Sequence, residues 1–204
     1  MTADAAMPDA AKTSDAPIQS AGLCANPQLD EHFTSAMPCN GWGTRFSSHS
    51  SVTEGAGHLS ITLQQTSSDG GCDSTSSYAI GPVGVIVEVP AVINVMDGYT
   101  ALQFQGIDRS LGFNNHELLF ATLNSQTVFA SMPFDTATMR FWRMRASGSG
   151  IVAEYSADAM TWLPLGAQAT TLAGPIKIAL IAGTNDVSSG DTAQFARFVV
   201  CAGS

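Results

Sequence analysis

From about Asn26 onward, short runs of alternating or β-branched apolar residues recur along this chain, each closed within a few positions by Gly, Asn, Asp or Ser. No stretch keeps a helical period over three turns, so strands rather than helices must bury the apolar side chains. The spacing predicts strands at 41–46, 58–65, 77–80, 83–89, 100–106, 117–123, 127–132, 139–146, 151–156, 177–182 and 193–201. In Leu59-Ser60-Ile61-Thr62-Leu63 and Thr100-Ala101-Leu102-Gln103-Phe104-Gln105 the apolar positions alternate strictly. One face of such a strand is buried and the other is wet. The expected class is an all-β sandwich of antiparallel sheets.

At 204 residues the chain is long enough for one sizeable core. Residues 1–22 have a different texture: Asp-Ala repeats, prolines and only two large apolar side chains besides Met1. Little there offsets the entropy of ordering, so we expect a disordered tether at 1–22 and the sandwich at 23–204. The formal net charge of −9 would repel a phosphate backbone, which excludes nucleic acid as a partner. The longest apolar run, 83–89, suits a buried strand and is far too short for a membrane span. The first residues carry neither a basic segment nor an apolar one, so no export signal is visible. That fits a cytosolic protein or a chain that begins after its signal.

The cysteines favour the second reading. Cys24, Cys39, Cys72 and Cys201 are even in number, widely spaced and without the pairing or nearby histidines that zinc requires. Two disulfides in an oxidising compartment are favoured over four buried thiols. Of the three pairings open to four cysteines, Cys24 with Cys201 is preferred because first and last strands of a sandwich commonly lie side by side, which leaves Cys39 with Cys72.

The segment from Met139 to Trp162 is the most specific. Ser147-Gly148-Ser149-Gly150 signals a hairpin whose two-residue loop is Gly148-Ser149. That register sets Arg143 opposite Glu154 and divides the hairpin into two faces. Trp142, Met144, Ile151, Ala153 and Tyr155 form the face better suited to the core.

These pieces together resemble the concanavalin A-like lectin and glucanase superfamily. Leu29-Asp30-Glu31-His32-Phe33 followed by Trp42 is similar to the family's opening aspartate-aromatic strand, and Gly57-His58-Leu59-Ser60-Ile61 to its second strand. Arg143-Met144-Arg145, then Glu154-Tyr155-Ser156-Ala157-Asp158 and Trp162, resembles its Arg-x-Arg hairpin ending in Glu-x-Ser-x-Asp-Gly-x-x-Trp, with Ala159 in place of the glycine. Phe195-Ala196-Arg197-Phe198-Val199-Val200 looks like the closing strand. The resemblance implies a two-sheet antiparallel jelly roll with a concave face that receives a glycan in lectin and glucanase members. The stretch 1–22 is itself similar to the spacer behind the lipidated cysteine of bacterial surface lipoproteins, which implies a lipid anchor upstream.

Glycanases on such a scaffold need paired carboxylates flanking the scissile bond. The Glu-x-Asp-x-x-Glu signature is missing, and no two of Glu31, Glu54, Glu88, Glu117 and Glu154 share a predicted strand. Glu88 is the sharpest single candidate, and a plain strand role is preferred for it. Ser156-Ala157-Asp158 also resembles the Asp-box turn of propeller sialidases, but it occurs once, so Asp158 is expected to serve its own turn. His32, His49, His58 and His116 form no metal or catalytic pattern. Calcium is compatible with the Asp-containing loops at 68–73 and 185–191, although neither matches a defined calcium loop and ordinary turn chemistry is preferred. Asn114, Asn115 and His116, in a polar loop at 112–117, could serve sugar hydroxyls, and Tyr99 or Trp162 could stack on a pyranose.

The expectation is a non-catalytic, extracytoplasmic binding module for a polysaccharide. The alternatives are a structural or protein-binding component of a cell-surface assembly and, third, a glycoside hydrolase. No catalytic residue, metal site or obligatory cofactor is assigned.

Overall fold

A computed structural model describes residues 23–107, 109–114, 118–123, 127–170, 172, 174–185 and 190–202. The expected tether therefore lies outside the described residues, as do Asn115, His116 and the middle of the 185–191 loop. The described residues form sixteen strands and no helix. In chain order they are β1 (Pro27–Glu31), β2 (Gly43–Ser48), β3 (Ser50–Gly55), β4 (His58–Leu63), β5 (Asp69–Ser74), β6 (Ile80–Glu88), β7 (Gly98–Gln105) and β8 (Arg109–Asn114). There follow β9 (Leu118–Leu123), β10 (Thr127–Pro133), β11 (Phe141–Ser147), β12 (Gly150–Ser156), β13 (Leu163–Ala169), β14 (Lys177–Thr184), β15 (Thr192–Phe195) and β16 (Arg197–Ala202).

One sheet has six strands in the order β1-β16-β6-β11-β12-β13, and another has seven, β10-β9-β8-β7-β14-β5-β2. A small third sheet, β15-β4-β3, completes the frame. All strand pairs are antiparallel, as the alternating patterns require. The main core collects inward side chains from both large sheets, including Trp142, Met144 and Phe198 from one and Leu102, Phe104 and Leu180 from the other. At one side the sheets close on each other, since a Cβ at Gly166 of β13 would collide with the Ala130 methyl of β10.

The hairpin forms in the expected register. Arg143 faces Glu154, Ser147 faces Gly150, and all five side chains of the predicted inner face join the core. Both disulfides pair as expected, with Cα separations of 5.7 Å for Cys24–Cys201 and 5.8 Å for Cys39–Cys72. The first ties the segment before β1 to β16, which β1 indeed flanks.

Several expectations are corrected. The 77–80 stretch is no strand of its own: Tyr78 makes an isolated bridge to Ile176, and β6 starts at Ile80. The 68–73 stretch is not a loop, because Asp69 to Ser74 is β5, between β14 and β2. Its glycines give little strand propensity but are required by close packing, since a Cβ at Gly71 would strike the Leu180 carbonyl and one at Gly70 the Ser50 side chain. The run 193–201 divides at Ala196, whose N–H donates to the Glu88 carbonyl at 3.0 Å. Ala193 and Phe195 face inward before the break, Phe198 and Val200 after it. This change of phase carries the chain from the small sheet to the six-stranded one. Strands β3, β8 and β13 were not anticipated; their Ser, Thr, Gly and Gln content resembles that of turns, and neighbouring strands supply the pairing.

Candidate functional site

The seven-stranded sheet presents two kinds of side chain. Leu102 and Phe104 of β7, Leu111 of β8, Leu119 and Ala121 of β9 and Leu180 of β14 point into the core. Their alternation partners face outward and line a depression of about 460 Å³. Register arranges these outward residues in rows across the strands. Thr122, Ser110 and Gln103 stand opposite one another, and the row continues over Ala179 to Asp73. The next row is apolar: Phe120, Gly112, Ala101, Ile181, Gly71 and, on β2, Phe46. The third runs from Asn114 through Tyr99 and Gly183 to Asp69. Val128 of β10 and Asn185 complete the lining of the depression.

Three features give the face its chemistry. The Tyr99 ring leans across β14: a Cβ built at Gly183 would lie 2.6 Å from the phenol oxygen, so only glycine fits there. Burial and the neighbouring Asp69 carboxylate push the Tyr99 hydroxyl up to about 12, which keeps it a neutral donor. The Thr122 hydroxyl is buried without a hydrogen-bond partner, although the residue lines the depression. Buried hydroxyls are normally satisfied, so this one is an exception that calls for an explanation. At the far side, Gln105 Nε2 donates to Asp73 Oδ1 at 2.6 Å, whereas the Asp69 carboxylate makes no hydrogen bond or ion pair with any described residue.

By sequence the chain matches no protein-family model and none of the curated proteins. Its structure does match solved ones. The carbohydrate recognition domain of Emp46p, metal-free form, aligns with a TM-score of 0.61 at 12% identity over 85% of this chain and 95% of that one. A β-1,3-glucanase from Mycobacterium marinum aligns with a TM-score of 0.60 at 10% identity over 86% of this chain and 99% of that one. The Ca2+-bound exoplasmic/lumenal domain of VIP36 gives 0.58 at 12% identity over 76% and 82%. The fold is concanavalin A-like.

In this concanavalin A-like frame the expected ligand residues separate. Tyr99 and Asn114 face each other across β7 and β8, and both line the depression. Trp162 does not join them. It lies on the outer face of the six-stranded sheet, under the Arg143 guanidinium at 4.1 Å from the ring centroid. The turn after β12 folds it there. Asp158 accepts the Met160 and Thr161 amides, both at 2.8 Å, while Ser156 Oγ accepts those of Asp158 and Ala159. The Thr161 and Met160 amides, with the Ser156 hydroxyl that donates to Asp158 Oδ1 at 2.9 Å, hold the Asp158 carboxyl down at about 2, and Ala159 adopts the left-handed φ of 60° in the position where the motif it resembles has glycine. The turn role expected of Asp158 is the one it has.

Glu88 also faces away from the depression and accepts from Arg140 Nε at 2.6 Å. Of the two loops compatible with calcium, 68–73 is strand, and Asp191 in the other accepts the Asn94 and Thr192 amides at 2.7 and 2.9 Å. Among the described residues no three His, Cys, Asp or Glu side chains converge on one point. No helix among them is long and apolar enough to cross a membrane.

Sequence reasoning missed Gln103, Ser110, Phe120, Thr122 and Ile181. The signal for Gln103, Phe120 and Thr122 was present, since they are alternation partners of apolar residues in anticipated strands. What the sequence lacked was the order of the strands, which alone makes neighbours of positions 103, 110, 122 and 181.

Proposed function

We propose that this protein is a non-catalytic, extracytoplasmic glycan-binding module whose ligand lies in the depression on the seven-stranded sheet. The observation that carries the reading is the banding of that face, an apolar row between two polar ones. A pyranose has the same division, with C–H faces that rest on apolar floor and hydroxyls at the rim that hydrogen-bond. Gln103, Ser110 and Thr122 supply one bank of polar groups, Tyr99, Asn114 and Asn185 the other. The carbohydrate recognition domains among the structural neighbours support the reading, and the two disulfides fit an oxidising compartment. Residues 1–22 then serve as a spacer from a surface anchor.

The Glu-x-Asp-x-x-Glu signature of glycanases on this scaffold is missing from the sequence, which supports binding without hydrolysis.

A glycan array probed with and without calcium tests the proposal. Binding to a polysaccharide class that Tyr99→Ala and Asn114→Ala each weaken about tenfold or more is the expected result. Silence across the array favours the protein-binding alternative, and release of reducing ends from a bound glycan favours the hydrolase.

A further inference from the structure

We propose that the ligand of the depression is an uncharged oligosaccharide, laid across the strands along the apolar row with a polar row on either hand. This rests on the glycan-binding reading and names the class of ligand for the same site.

The whereabouts of the cations set the class. The chain has eight Lys and Arg residues in all, and none of them lines the depression. Arg140, Arg143, Arg145 and Arg197 are bound to carboxylates of the six-stranded sheet. Arg109 lies on the same side of β8 as the inward Leu111, and its guanidinium donates to the Ile107 carbonyl at 2.7 Å and to Thr170 Oγ1 at 3.2 Å. Arg45 lies between Thr44 and Phe46 and so alternates to the other side of β2. Lys177, opposite Gln105, lines a separate hollow with Ile107 and Pro175, and Lys12 belongs to 1–22. The stretches that adjoin the depression in sequence outside the described residues, 115–117, 124–126 and 186–189, contain no Lys or Arg. A uronate or sulfate seated here would therefore lose water without gaining a cation. Asp69 lies beyond Gly183, outside the depression, but after burial it is the second cause that raises the Tyr99 hydroxyl, and its charge acts equally against an anion beside that hydroxyl. No Asp or Glu lines the depression either, so an ammonium group finds no counter-ion within it.

The lining offers neutral groups instead, the hydroxyls of Tyr99, Ser110 and Thr122 and the amides of Gln103, Asn114 and Asn185. Among them the buried Thr122 hydroxyl has no partner among the described residues, which is a sign within the site itself that a ligand group completes the wall. Length follows from the register. Phe120, Gly112, Ala101 and Ile181 cross β9, β8, β7 and β14, three strand spacings or roughly 14 Å, which is room for an oligosaccharide rather than a single sugar. Val128, opposite Thr122 on β10, adds an exposed apolar edge.

An array in mildly acidic buffer tests the class. It carries hexasaccharides of glucose, mannose, xylose and N-acetylglucosamine beside the anionic hexagalacturonate and hexamannuronate and the cationic chitosan hexamer. Binding is expected on the uncharged side alone, and calorimetry on the bound hexasaccharide should give an affinity constant within about twofold from low to high salt. The disaccharide of the same sugar should bind at least about tenfold more weakly. Phe120→Ala and Ile181→Ala, at the two ends of the row, should each weaken the hexasaccharide about fivefold or more in protein that urea unfolding shows to be folded. A charged glycan bound as tightly as any uncharged one, an affinity that falls with salt, equal binding of disaccharide and hexasaccharide, or indifference to either variant overturns the proposal while the glycan-binding reading stands. Silence across the array overturns both.

Discussion

On the six-stranded sheet the outward charges are matched to one another. Arg143 Nε and Arg145 Nε donate to one oxygen of Glu154 at 2.6 and 2.8 Å, Arg140 holds Glu88, and Arg197 Nη2 reaches both oxygens of Asp30 at 3.0 and 2.9 Å. A second small core lies over the same face: Leu23, Ile86, Phe141, Ala159, Val199 and Cys201, with Cys24 and Trp162 packed on it. The seven-stranded sheet is built from the same alternation but left incomplete, with an unpartnered buried hydroxyl at Thr122 and an unpaired carboxylate at Asp69. Complete polar networks rigidify a structure, and incomplete ones cost stability unless something else completes them. The contrast gives one outer face the completed networks that stabilise the fold, and it is on the other that the proposed recognition takes place.

The largest effect should come from uncovering the finished face. Cys24→Ser with Cys201→Ser releases a link between residues 177 apart in sequence and frees Leu23 from its seat. A loss of about 4 kcal/mol in urea unfolding is expected, with glycan binding unchanged once the protein is folded. If binding falls in parallel, the two faces are coupled and the division of labour fails.

Glu154→Ala comes next. Its side chain is 7% exposed and those of Arg143 and Arg145 are 15% and 25% exposed, so removal leaves two largely buried guanidiniums without their acceptor. About 3 kcal/mol should be lost, below the upper range for broken buried pairs because solvent still reaches the arginines. Burial alone would raise the Glu154 carboxyl, but the hydrogen bonds and charges of Arg145 and Arg143 outweigh it and hold it below the usual carboxylate value. A depressed acid stabilises the fold above its unfolded value near 4.5 and loses that contribution as pH falls through the folded one. Acid titration of stability should therefore be shallower in Glu154→Gln than in the native chain below about pH 4.5. Equal slopes would mean that the triad adds no pH-dependent stability.

The finished face was the more legible in sequence, for a physical reason. Its central hairpin is local: a Gly-Ser turn fixes the register, and the register fixes Arg143 opposite Glu154. The Cys24–Cys201 pairing followed from the adjacency of terminal strands, which β1 and β16 satisfy. The open face is assembled from β7, β8, β9, β14 and β5, whose order interleaves distant parts of the chain. Tyr99 and Asn114 could be singled out as residue types, but that they are cross-strand neighbours follows only from the pairing of β7 with β8. Trp162 shows the converse error. An aromatic after a hairpin was credited to the ligand, whereas the Asp158 turn folds it beneath Arg143. Strand β5 was hidden because its Gly-Gly pair signals a turn locally and a close strand approach only in the sheet.

The smallest effect in stability is the sharpest for the comparison, because its sign is reversed. Thr122→Val keeps shape and strand preference while deleting a buried hydroxyl that has no partner. On the finished face such a change would break a network. Here it should raise stability by about 1 kcal/mol, seen as a later urea midpoint at unchanged slope. Glycan affinity should fall at least about fivefold, since a ligand hydroxyl then meets a methyl group. Thr122→Ser, which restores the hydroxyl, should recover most of the affinity without the gain in stability. A Val variant that is less stable than the native protein would show the hydroxyl to be satisfied within the fold. One that is more stable and binds as well as before would show that the ligand never reaches the row of Thr122, and would confine recognition to the rows of Tyr99 and Phe120.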